Sequence, residues 1–325
     1  MQKMARKRPL GKFVFTSRRL GQQAMSGAHS IPFVPLQHLD HLWFQVGGTL
    51  CNLSCHHCFI SCHPKNHNFG FLTLAQVRHW LTESVNWGVK EYYFTGGEPF
   101  LNHELTAILC ETLRYGPATV LTNGTVLQEQ WLDSLAEAEA NSIYSLEFRV
   151  SIDGFSPEMN DPIRGAGTFD RAIRGVQNLA KHGFLPLITA ARTWPMSEEP
   201  QVVGQFVERL KQAGYSRPRL KILPTLQLGA EAQRTQGYLE SERVSAQMMQ
   251  EYDLSQLICH QSRIITDRGI HVCPILIEQP DSLLGQTLTE AAQPFPLRHG
   301  ACFTCYQYGA ICSNPSSGVR TEVPT

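Results

Sequence analysis

The feature that most constrains the fold of this chain is a regular alternation of short β-rich runs with helical patterns from Asp40 onward. The predicted strands run from His41 to Val46, Glu91 to Phe94, Ala118 to Thr122, Tyr144 to Ile152, Leu185 to Thr193 and Arg219 to Leu223. The predicted helices run from Thr73 to Trp87, Glu104 to Tyr115, Glu129 to Asn141, Thr168 to His182 and Pro200 to Ala213. Strands that are separated by helices pair in parallel through right-handed crossovers. Six such units predict an α/β fold, a partial (β/α)6 TIM-like barrel over residues 40–230.

The segments outside the barrel differ from it in composition. Residues 1–39 carry seven Lys and Arg residues and no acid, which predicts a flexible basic extension, with a mitochondrial presequence as the alternative. Residues 231–257 are predicted to link the domains through a helix from Leu239 to Asp253. Residues 258–313 are rich in Cys, Pro and Gly, and predict a small domain held by a metal centre rather than by a hydrophobic core. Residues 314–325 form a tail.

Charge and cysteine content exclude several classes of protein. The 325 residues include 28 Lys and Arg against 28 Asp and Glu, so the summed charge offers no general attraction to nucleic acid or to anionic lipid. No apolar run reaches the roughly 18 residues of a membrane-spanning helix. Ten clustered cysteines without a secretory signal indicate metal ligands rather than disulfides. We therefore expect a soluble protein of the reducing cytoplasm.

The first cysteine cluster has the spacing C-x3-C-x2-C and follows directly after the first predicted strand. Cys51, Cys55 and Cys58 lie on one loop, and this spacing lets the loop wrap a four-iron cluster. Three thiolates leave one iron available to another ligand. The alternative is a structural zinc site whose fourth ligand is His56, His57 or Cys62.

Three further motifs close the next three predicted strands. They are Phe94-Thr-Gly-Gly-Glu-Pro99, Thr122-Asn-Gly124 and Ser151-Ile-Asp153-Gly154. Paired glycines let backbone approach a ligand closely, and the carboxylate of Glu98 can receive an ammonium group. Each motif lies at the carboxyl end of its strand, which is where parallel α/β sheets hold their active sites.

In this order the motifs resemble those of the radical S-adenosylmethionine (SAM) superfamily, over about residues 41–230. The resemblance implies that Cys51, Cys55 and Cys58 bind a [4Fe-4S] cluster and that SAM lies beside it. It also implies that the C5′–S bond of SAM breaks after an electron, from a donor such as flavodoxin or ferredoxin, enters the cluster. The resulting 5′-deoxyadenosyl radical then takes a hydrogen atom from the substrate.

The same resemblance assigns individual contacts to SAM. His57 would lie beside the adenine, Gly96, Gly97 and Glu98 would meet the methionine amino group, and Ser151 and Asp153 would meet the ribose or methionine portion. Arg164 would border the cofactor, with anchoring of its own loop as the alternative role. The residues assigned to SAM are His57, Gly96, Gly97, Glu98, Pro99, Asn123, Ser151, Asp153 and Arg164.

The fourth predicted strand places two charged residues inside the barrel. Because side chains alternate along a strand, Glu147 and Arg149 share the inward face with Ser151 and Asp153. The opposite face is apolar and suits the helix layer: Leu146, Phe148, Val150 and Ile152.

Charges inside a barrel have to be paired or used, because an unpartnered buried charge is costly. Glu147 and Arg149 could bind a polar substrate or the cofactor carboxylate. Equally, they could form an ion pair with each other or with Lys221. Together with Arg192, at the end of the fifth strand, they are the candidate catalytic residues.

A second set of cysteines lies in the C-terminal region and resembles the twitch type of auxiliary cluster domain, a shortened relative of the SPASM domain. The resemblance implies a second [4Fe-4S] cluster with no open iron. Its ligands would be Cys259, Cys273, Cys302 and Cys305, with Cys312 as an alternative. A closed zinc site with four thiolates is the competing interpretation. Cys62 and Cys110 are expected to be ordinary buried thiols.

These features predict a radical SAM enzyme of oxidoreductase type that removes hydrogen from a small polar metabolite, by oxidation or rearrangement. The auxiliary cluster would take part in electron transfer. Only 50 residues precede Cys51, too few for the peptide-recognition module of about 80 residues that many peptide maturases carry. The alternatives are a maturase of a ribosomally synthesised peptide and a non-catalytic zinc or iron–sulfur module.

Overall fold

The computed structural model describes residues 31–312 of the chain. Its β-strands are β1 (Phe33–Val34), β2 (His41–Gly47), β3 (Glu91–Gly96), β4 (Ala118–Thr122), β5 (Leu146–Ser151), β6 (Leu187–Ala191), β7 (Arg219–Leu223), β8 (Ser262–Thr266), β9 (Gly269–His271), β10 (Leu283–Gly285) and β11 (Phe295–Pro296). Its α-helices are α1 (Leu74–Trp87), α2 (Leu105–Thr112), α3 (Glu129–Ala140), α4 (Pro157–Arg164), α5 (Thr168–Lys181), α6 (Glu199–Gln212), α7 (Gly229–Thr235), α8 (Leu288–Ala291) and α9 (Gly300–Tyr308). The six strands and five helices predicted for the barrel are all present, with ends that differ by at most three residues.

The first helix shows how local sequence sets the boundaries of an element. The side chain of Thr73 accepts a hydrogen bond from the backbone of Gln76, and Gln76 reaches back to the backbone of Thr73, which fixes the start of α1. Gly88 adopts a left-handed conformation with φ of 71° and ends the helix. Between these caps, Val77 and Leu81 are fully buried and hold α1 against the sheet.

Strands β2 to β7 pair in parallel in the order of the chain, which confirms the partial barrel. The sheet also continues past β2. Strand β8 pairs with β2 in parallel, with Ile264 opposite Trp43, and β9 and β10 follow in antiparallel pairing. The cysteine-rich C-terminal region is thus joined to the barrel through one nine-stranded sheet.

The two faces of β5 divide as the alternation predicts. Phe148, Val150 and Ile152 are at most 1% exposed and belong to the core between the sheet and its helices. Arg149 and Ser151 lie on the other face and line the interior of the barrel.

The prediction of a helix from Leu239 to Asp253 is wrong, because this stretch forms turns and irregular structure. Hydrogen bonds to the C-terminal region replace those of a helix. Arg243 Nη1 donates to the Arg298 carbonyl over 2.6 Å, and the Tyr252 hydroxyl donates to the Tyr306 carbonyl over 2.9 Å. A short helix, α7, precedes the stretch instead.

The C-terminal region packs into hydrophobic clusters that it shares with the barrel, contrary to the prediction that a metal centre rather than a hydrophobic core would hold it. Ile264, Ile265, Ile270 and Val272 are fully buried. The region also contains a nine-residue helix, α9, that its Pro- and Gly-rich sequence did not predict. Apolar packing in β8 and β9 therefore stabilises this region together with any metal.

The N-terminal segment is part of the fold from residue 31 onward. Strand β1 pairs with β11, and Val34 is fully buried. The prediction of a flexible extension is therefore wrong for residues 31–39, while residues 1–30 and the tail 314–325 lie outside the described residues. Within residues 31–312, no helix combines the length and the apolar character that crossing a membrane requires.

Candidate active site

A cavity of about 250 Å³ lies inside the barrel at the carboxyl ends of its strands. The cysteine loop that follows β2 contributes Cys55, His57 and Cys58 to its lining. The strands contribute Trp43 and Gln45 from β2, Leu121 from β4, Arg149 and Ser151 from β5, Thr189 and Ala191 from β6, and Lys221 and Leu223 from β7. The cavity is thus where the strand-end motifs were expected to converge.

The three cysteines of the first loop lie close enough to influence one another. Burial raises the pKa of Cys51 to about 12, and the nearby Cys55 and Cys58 add to that effect. The backbone N–H of Leu53 donates to the sulfur of Cys51 over 3.4 Å, and hydrogen bonds of this kind stabilise a metal-bound thiolate. Three grouped thiols with such donors fit the ligand set of a [4Fe-4S] cluster with one open iron.

Cys62 is more than the ordinary buried thiol predicted from the sequence. Its backbone N–H donates to the sulfur of Cys58 over 3.2 Å. Its thiol also donates to Cys58, and this bond lowers the pKa of Cys58 to about 6 against the opposing effect of burial. Cys62 therefore supports a predicted ligand of the first cluster, whereas the half-buried Cys110 packs against the core as expected.

The Gly-Gly-Glu-Pro turn holds the cysteine loop in place. The backbone N–H of Gly97 donates to the Gly48 carbonyl over 2.9 Å, and that of Glu98 donates to the Leu50 carbonyl over 3.0 Å. A Cβ on Gly97 would lie 2.1 Å from the Leu50 carbonyl oxygen. Gly97 thus lets two protein segments approach each other, whereas Gly96 lines the cavity as the cofactor assignment requires.

We expect Gly97→Ala to displace the cysteine loop and to destabilise the chain by about 2 kcal/mol, since the new methyl group overlaps main-chain atoms. The matched control is Gly204→Ala in α6, where a Cβ meets no atom within 4 Å. That variant should be stabilised by about 0.5–1 kcal/mol, because alanine favours a helix over glycine. Urea denaturation followed by circular dichroism measures both, and equal stabilities of the two variants would contradict the assignment.

Glu98 is fully buried and lies outside the cavity lining. Its carboxylate accepts hydrogen bonds from the backbone of Phe100 over 3.1 Å, from the Thr122 hydroxyl over 2.7 Å and from the backbone of Asn123 over 2.7 Å. Burial raises the pKa of Glu98 to about 7. Pro99 begins a short 3-10 helix directly after it.

Asn123 joins the same support of the cysteine loop. Its side-chain amide donates to the Asn52 side chain over 2.9 Å and approaches the sulfur of Cys51 at 3.8 Å. The residue is buried and lies outside the cavity lining. Contacts of Asn123 and Glu98 with SAM remain predictions.

Asp153 lies behind the cavity and orients two residues that line it. Its Oδ2 contacts His57 Nε2 at 2.6 Å and Arg164 Nε at 2.5 Å, and its Oδ1 accepts from the backbone of Ala191 over 2.7 Å. Burial acts to raise the pKa of Asp153, but Arg164 and His57 outweigh it and hold that pKa well below its usual range. Among residues 31–312, the other ring nitrogen of His57, Nδ1, is buried without a hydrogen-bond partner. His57 and Arg164 are therefore fixed against the cavity, in keeping with the contacts that the sequence assigns to them.

The charged residues on the inner face of β5 form an ion pair. Arg149 Nε donates to Glu147 Oε1 over 3.0 Å, and Arg219 Nη2 donates to Glu147 Oε2 over 2.7 Å. Arg149 also donates to the Cys312 carbonyl over 2.7 Å and lies over the ring of Tyr93. The sequence predicts this ion pair as one of two roles for Glu147 and Arg149, the other being binding of the substrate or the cofactor. The contact between Arg219 and Glu147 was not predicted.

Arg192 directly follows β6 and lies outside the cavity lining, unlike the candidate Arg149 on β5. It forms an ion pair with Glu199 at 2.6 Å. This contact joins the end of β6 to the start of α6, and a catalytic role of Arg192 remains a prediction.

The second set of cysteines surrounds a small apolar cavity of about 20 Å³. Helix α9 places Cys302 and Cys305 three residues apart on one face, next to Cys259 and Cys273. Cys312 lines the large cavity instead, although it lies near enough to Cys305 to raise the pKa of that buried thiol further. As arranged here, no group of three or more His, Cys, Asp or Glu side chains in residues 31–312 could hold a single metal ion.

A buried arginine, Arg263, lies beside these cysteines. Burial lowers its pKa to about 10, while Cys259 and Cys273 act to raise it. Among the described residues, its hydrogen bonds all end on main-chain carbonyls, those of Ala291, Cys259, Ser262 and Gln293, and no acidic side chain pairs with it. A set of metal-bound thiolates would supply the negative charge that this guanidinium faces, so the residues fit a second cluster.

Some residues of the site carry no motif: Thr189 was missed from the sequence, and Lys221 was named only as a possible ion-pair partner. Thr189 and Lys221 share one level of the barrel with Ser151, because the register pairs Ser151 with Thr189 and Thr189 with Lys221. Strand alternation alone could have found them once the parallel order was known. The closeness of Cys62 to Cys58 has no such signal, since it depends on the path of the loop.

The architecture and the cysteine loop agree with a comparison against protein families. Residues 46–210, about half of the chain, match the model of the Radical SAM superfamily. The chain belongs to this superfamily, whose members use a [4Fe-4S] cluster and SAM.

Individual relatives share the superfamily domain but differ elsewhere. The chain is 31% identical over 135 residues to mycofactocin maturase MftC of Mycobacterium tuberculosis (strain CDC 1551 / Oshkosh), covering 41% of this chain and 33% of that protein. It is 31% identical over 140 residues to the AdoMet-dependent heme synthase of Methanosarcina barkeri (strain Fusaro / DSM 804), covering 41% of this chain and 37% of that protein. The match thus spans little more than a third of these curated relatives.

A solved structure extends the similarity in fold. Streptococcus suis SuiB, bound to the precursor peptide SuiA, superposes with a TM-score of 0.59 at 14% identity. The superposition covers 80% of this chain and 66% of that chain. At this identity the likeness shows the fold alone.

Proposed function

We propose that this chain is a SAM-cleaving enzyme that removes a hydrogen atom from a small metabolite. The observation that carries the proposal is the grouping of Cys51, Cys55 and Cys58 on one loop, with Cys55 and Cys58 in the lining of the barrel cavity. When bound, the reduced [4Fe-4S] cluster and SAM together supply a 5′-deoxyadenosyl radical that abstracts hydrogen. An oxidation or a rearrangement of the substrate would follow.

The protein contributes placement and exclusion of water. His57, fixed by Asp153, offers its ring beside the cluster loop, and its unpartnered Nδ1 is available to a ligand. Ser151 and Thr189 present hydroxyl groups 3.3 Å apart at the cavity wall. The apolar side chains of Leu121 and Leu223 keep water away from a reactive intermediate.

The test is anaerobic reconstitution followed by reduction in the presence of SAM, with 5′-deoxyadenosine measured by chromatography. A dithionite-reduced wild-type chain should form the nucleoside, with flavodoxin or ferredoxin as candidate physiological donors. A chain that binds iron and sulfide but never cleaves SAM would instead support the non-catalytic iron–sulfur module.

A small metabolite is the preferred substrate class because the cavity of about 250 Å³ lies just below the usual range of small-ligand sites and is also lined by residues assigned to SAM, which leaves little room for a large substrate. The second candidate is a ribosomally synthesised peptide, which the likeness in fold to SuiB, solved with its precursor peptide, favours. Turnover of a free metabolite supports the first class, and co-purification with a short peptide supports the second.

We further propose that the C-terminal cysteines hold a second [4Fe-4S] cluster that accepts an electron from the substrate. The ligands would be Cys259, Cys273, Cys302 and Cys305, which border one cavity. Iron–sulfur reconstitution should then yield about eight irons per chain, and about four if the C-terminal site binds zinc.

Two single variants separate the ligand sets. Cys259→Ala should lose about four irons per chain, because one cluster loses a ligand. Cys312→Ala should keep the wild-type iron content, since Cys312 lines the large cavity and not the cavity between the other four cysteines. Iron and sulfide analysis measures both, and loss of about four irons in both variants would assign Cys312 as a ligand in place of Cys302 or Cys305.

A further inference from the structure

Two polar atoms on the first strand of the barrel, β2, are buried at the wall of the main cavity. Among residues 31–312, neither the indole Nε1 of Trp43 nor the side-chain Oε1 of Gln45 has a hydrogen-bond partner. Both residues are 1% exposed, and both border the cavity of about 250 Å³. Buried polar groups in native proteins are nearly always hydrogen-bonded to protein, water or a ligand, because leaving them unpaired is unfavourable. These two atoms therefore mark a place where a ligand can supply the missing partner.

Neighbouring contacts fix the orientation of both side chains. Phe44 belongs to the core between the sheet and its helices, so Trp43 and Gln45, on either side of it, face the interior of the barrel. The Trp43 ring stacks on Tyr93, with centroids 4.3 Å apart and planes 12° apart. Gln45 Nε2 donates to the Gly48 carbonyl over 2.7 Å. Because a carbonyl can only accept, the nitrogen end of this amide has to face Gly48, and the oxygen end is left for another group.

This pair is separate from the residues assigned to SAM. Those residues lie on the cysteine loop, at or just after the ends of β3, β4 and β5, and at the end of α4, and none of them lies on β2. Gln45 and Trp43 precede the last residue of β2 by two and four positions. They therefore lie about 7 Å and about 13 Å along the strand from its end. With SAM beside the cluster loop, this part of the cavity is left to the substrate.

We propose that Trp43 and Gln45 together bind one uncharged group of the substrate that both accepts and donates a hydrogen bond, a hydroxyl or a primary carboxamide. The inference rests on the proposed function, because it concerns the molecule from which hydrogen is taken. The indole N–H can only donate and the free amide oxygen can only accept, so one ligand group has to do both. A carboxylate, a ketone or an ether has no hydrogen to donate to Gln45 Oε1. The substrate class is thereby narrowed from a polar metabolite to an alcohol or an amide.

The test uses four probes with the same six-membered carbon ring: cyclohexanol, cyclohexanecarboxamide, cyclohexanone and fluorocyclohexane. None carries a charge, so attraction to the cationic side chains of the lining does not separate them. Each is titrated by calorimetry into the reconstituted chain with SAM bound and no reductant present. The alcohol or the carboxamide should bind about ten-fold more tightly than the ketone, because the ketone leaves Gln45 Oε1 buried and unpaired. The tighter of the two identifies the group.

The same titrations can overturn the proposal without any variant. If the ketone binds as tightly as the alcohol and the carboxamide, water rather than the ligand is the partner of the two atoms. If neither the alcohol nor the carboxamide binds, the proposal is also wrong.

Trp43→Phe gives the second measurement. It keeps an aromatic ring against Tyr93 and removes the N–H, so the preferred probe should bind about ten-fold more weakly. Binding of fluorocyclohexane, which needs no N–H, should change little. The matched control is Trp194→Phe, because Trp194 Nε1 is likewise buried without a partner in the described part of the chain, but Trp194 lies outside the cavity lining. The control should keep the wild-type affinities, and an equal loss for both probes in Trp43→Phe would show that Trp43 only packs.

Gln45→Met tests the acceptor, because it keeps the length of the side chain and removes its oxygen. In this variant the preferred probe and cyclohexanone should bind equally, and a retained preference would contradict the role of Gln45. If loss of the hydrogen bond to Gly48 prevents folding, the four probes with the wild type and with Trp43→Phe still decide the matter.

The affinity for SAM and its cleavage, measured in the same proteins, distinguish this failure from that of the proposed function. A chain that binds and cleaves SAM but does not prefer the alcohol or the carboxamide contradicts only the role of Trp43 and Gln45. A chain that neither binds nor cleaves SAM contradicts the proposed function itself.

Discussion

Replacing Cys55 by alanine should reduce 5′-deoxyadenosine formation to background and remove about four irons per chain. The reason is the ligand count. A cluster with one open iron has three protein thiolates, and the loss of one leaves too few ligands to hold the cube. Cys55 also borders the cavity, so its loss affects the part of the cluster that faces SAM. Chromatography of the nucleoside after reduction, with iron analysis of the same sample, measures both effects.

The matched control is Cys110→Ala. This thiol is half-buried in α2 and packs against the hydrophobic core, away from either set of cysteines. Its removal should leave the iron content and nucleoside formation unchanged. Wild-type nucleoside formation by Cys55→Ala would show that the first loop does not hold the reactive cluster, and the proposed function would fail with it.

Asp153→Asn should destabilise the chain by about 3–5 kcal/mol, because it breaks a buried ion pair and leaves a charged partner uncompensated. Arg164 is that partner, and its side chain is 11% exposed against 0% for Asp153. His57 also loses an acceptor for Nε2, so its ring is no longer fixed toward the cavity. We expect weaker SAM binding in addition to lower stability. Urea denaturation and SAM titration measure the two effects.

The loss of stability in Asp153→Asn should depend on pH, because folding lowers the pKa of Asp153. The folded-state pKa of Asp153 is depressed, so its contribution is fully present above the unfolded-state pKa of about 4 and is lost as the pH falls toward the folded-state value. The stability difference between wild type and variant should therefore be constant near neutral pH and shrink below about pH 4. A difference that grew on acidification would contradict the ion-pair interpretation.

Surface ion pairs provide the control for Asp153. Glu129 contacts Lys181 at 2.9 Å, with both side chains more than 60% exposed. Solvent screening makes such pairs weak, so Glu129→Gln should have the stability of the wild type at every pH. An equal loss in both variants would mean that burial does not set the strength of the Asp153 interaction.

The barrel could be predicted from the sequence because its strands and helices are local patterns with clear ends. Thr73 and Gly88 bound α1 through capping interactions within a few residues. The alternation along β5 likewise identified Arg149 as inward-facing from its neighbours alone. Motif spacing also located the cysteine loop, since Cys51, Cys55 and Cys58 lie within eight residues.

Contacts between distant segments could not be predicted in this way. The stretch from Leu239 to Asp253 contains residue types that favour helices. Its side chains instead donate hydrogen bonds to the carbonyls of Arg298 and Tyr306, more than 50 positions away. The role of Gly97 as a packing position for Leu50 likewise depends on how two loops meet. The pairing of β8 with β2 joins residues more than 200 positions apart, and no local pattern announces it.

With the proposed second cluster, the buried guanidinium of Arg263 would make folding of the chain depend on iron supply. Its hydrogen bonds within residues 31–312 end on carbonyls, and the thiolates of a bound cluster would balance its charge. Those sulfurs ionise when metal binds, which makes cluster insertion a contribution to folding. Under iron starvation the newly made chain would open more readily at its C-terminal end, and proteases would remove it.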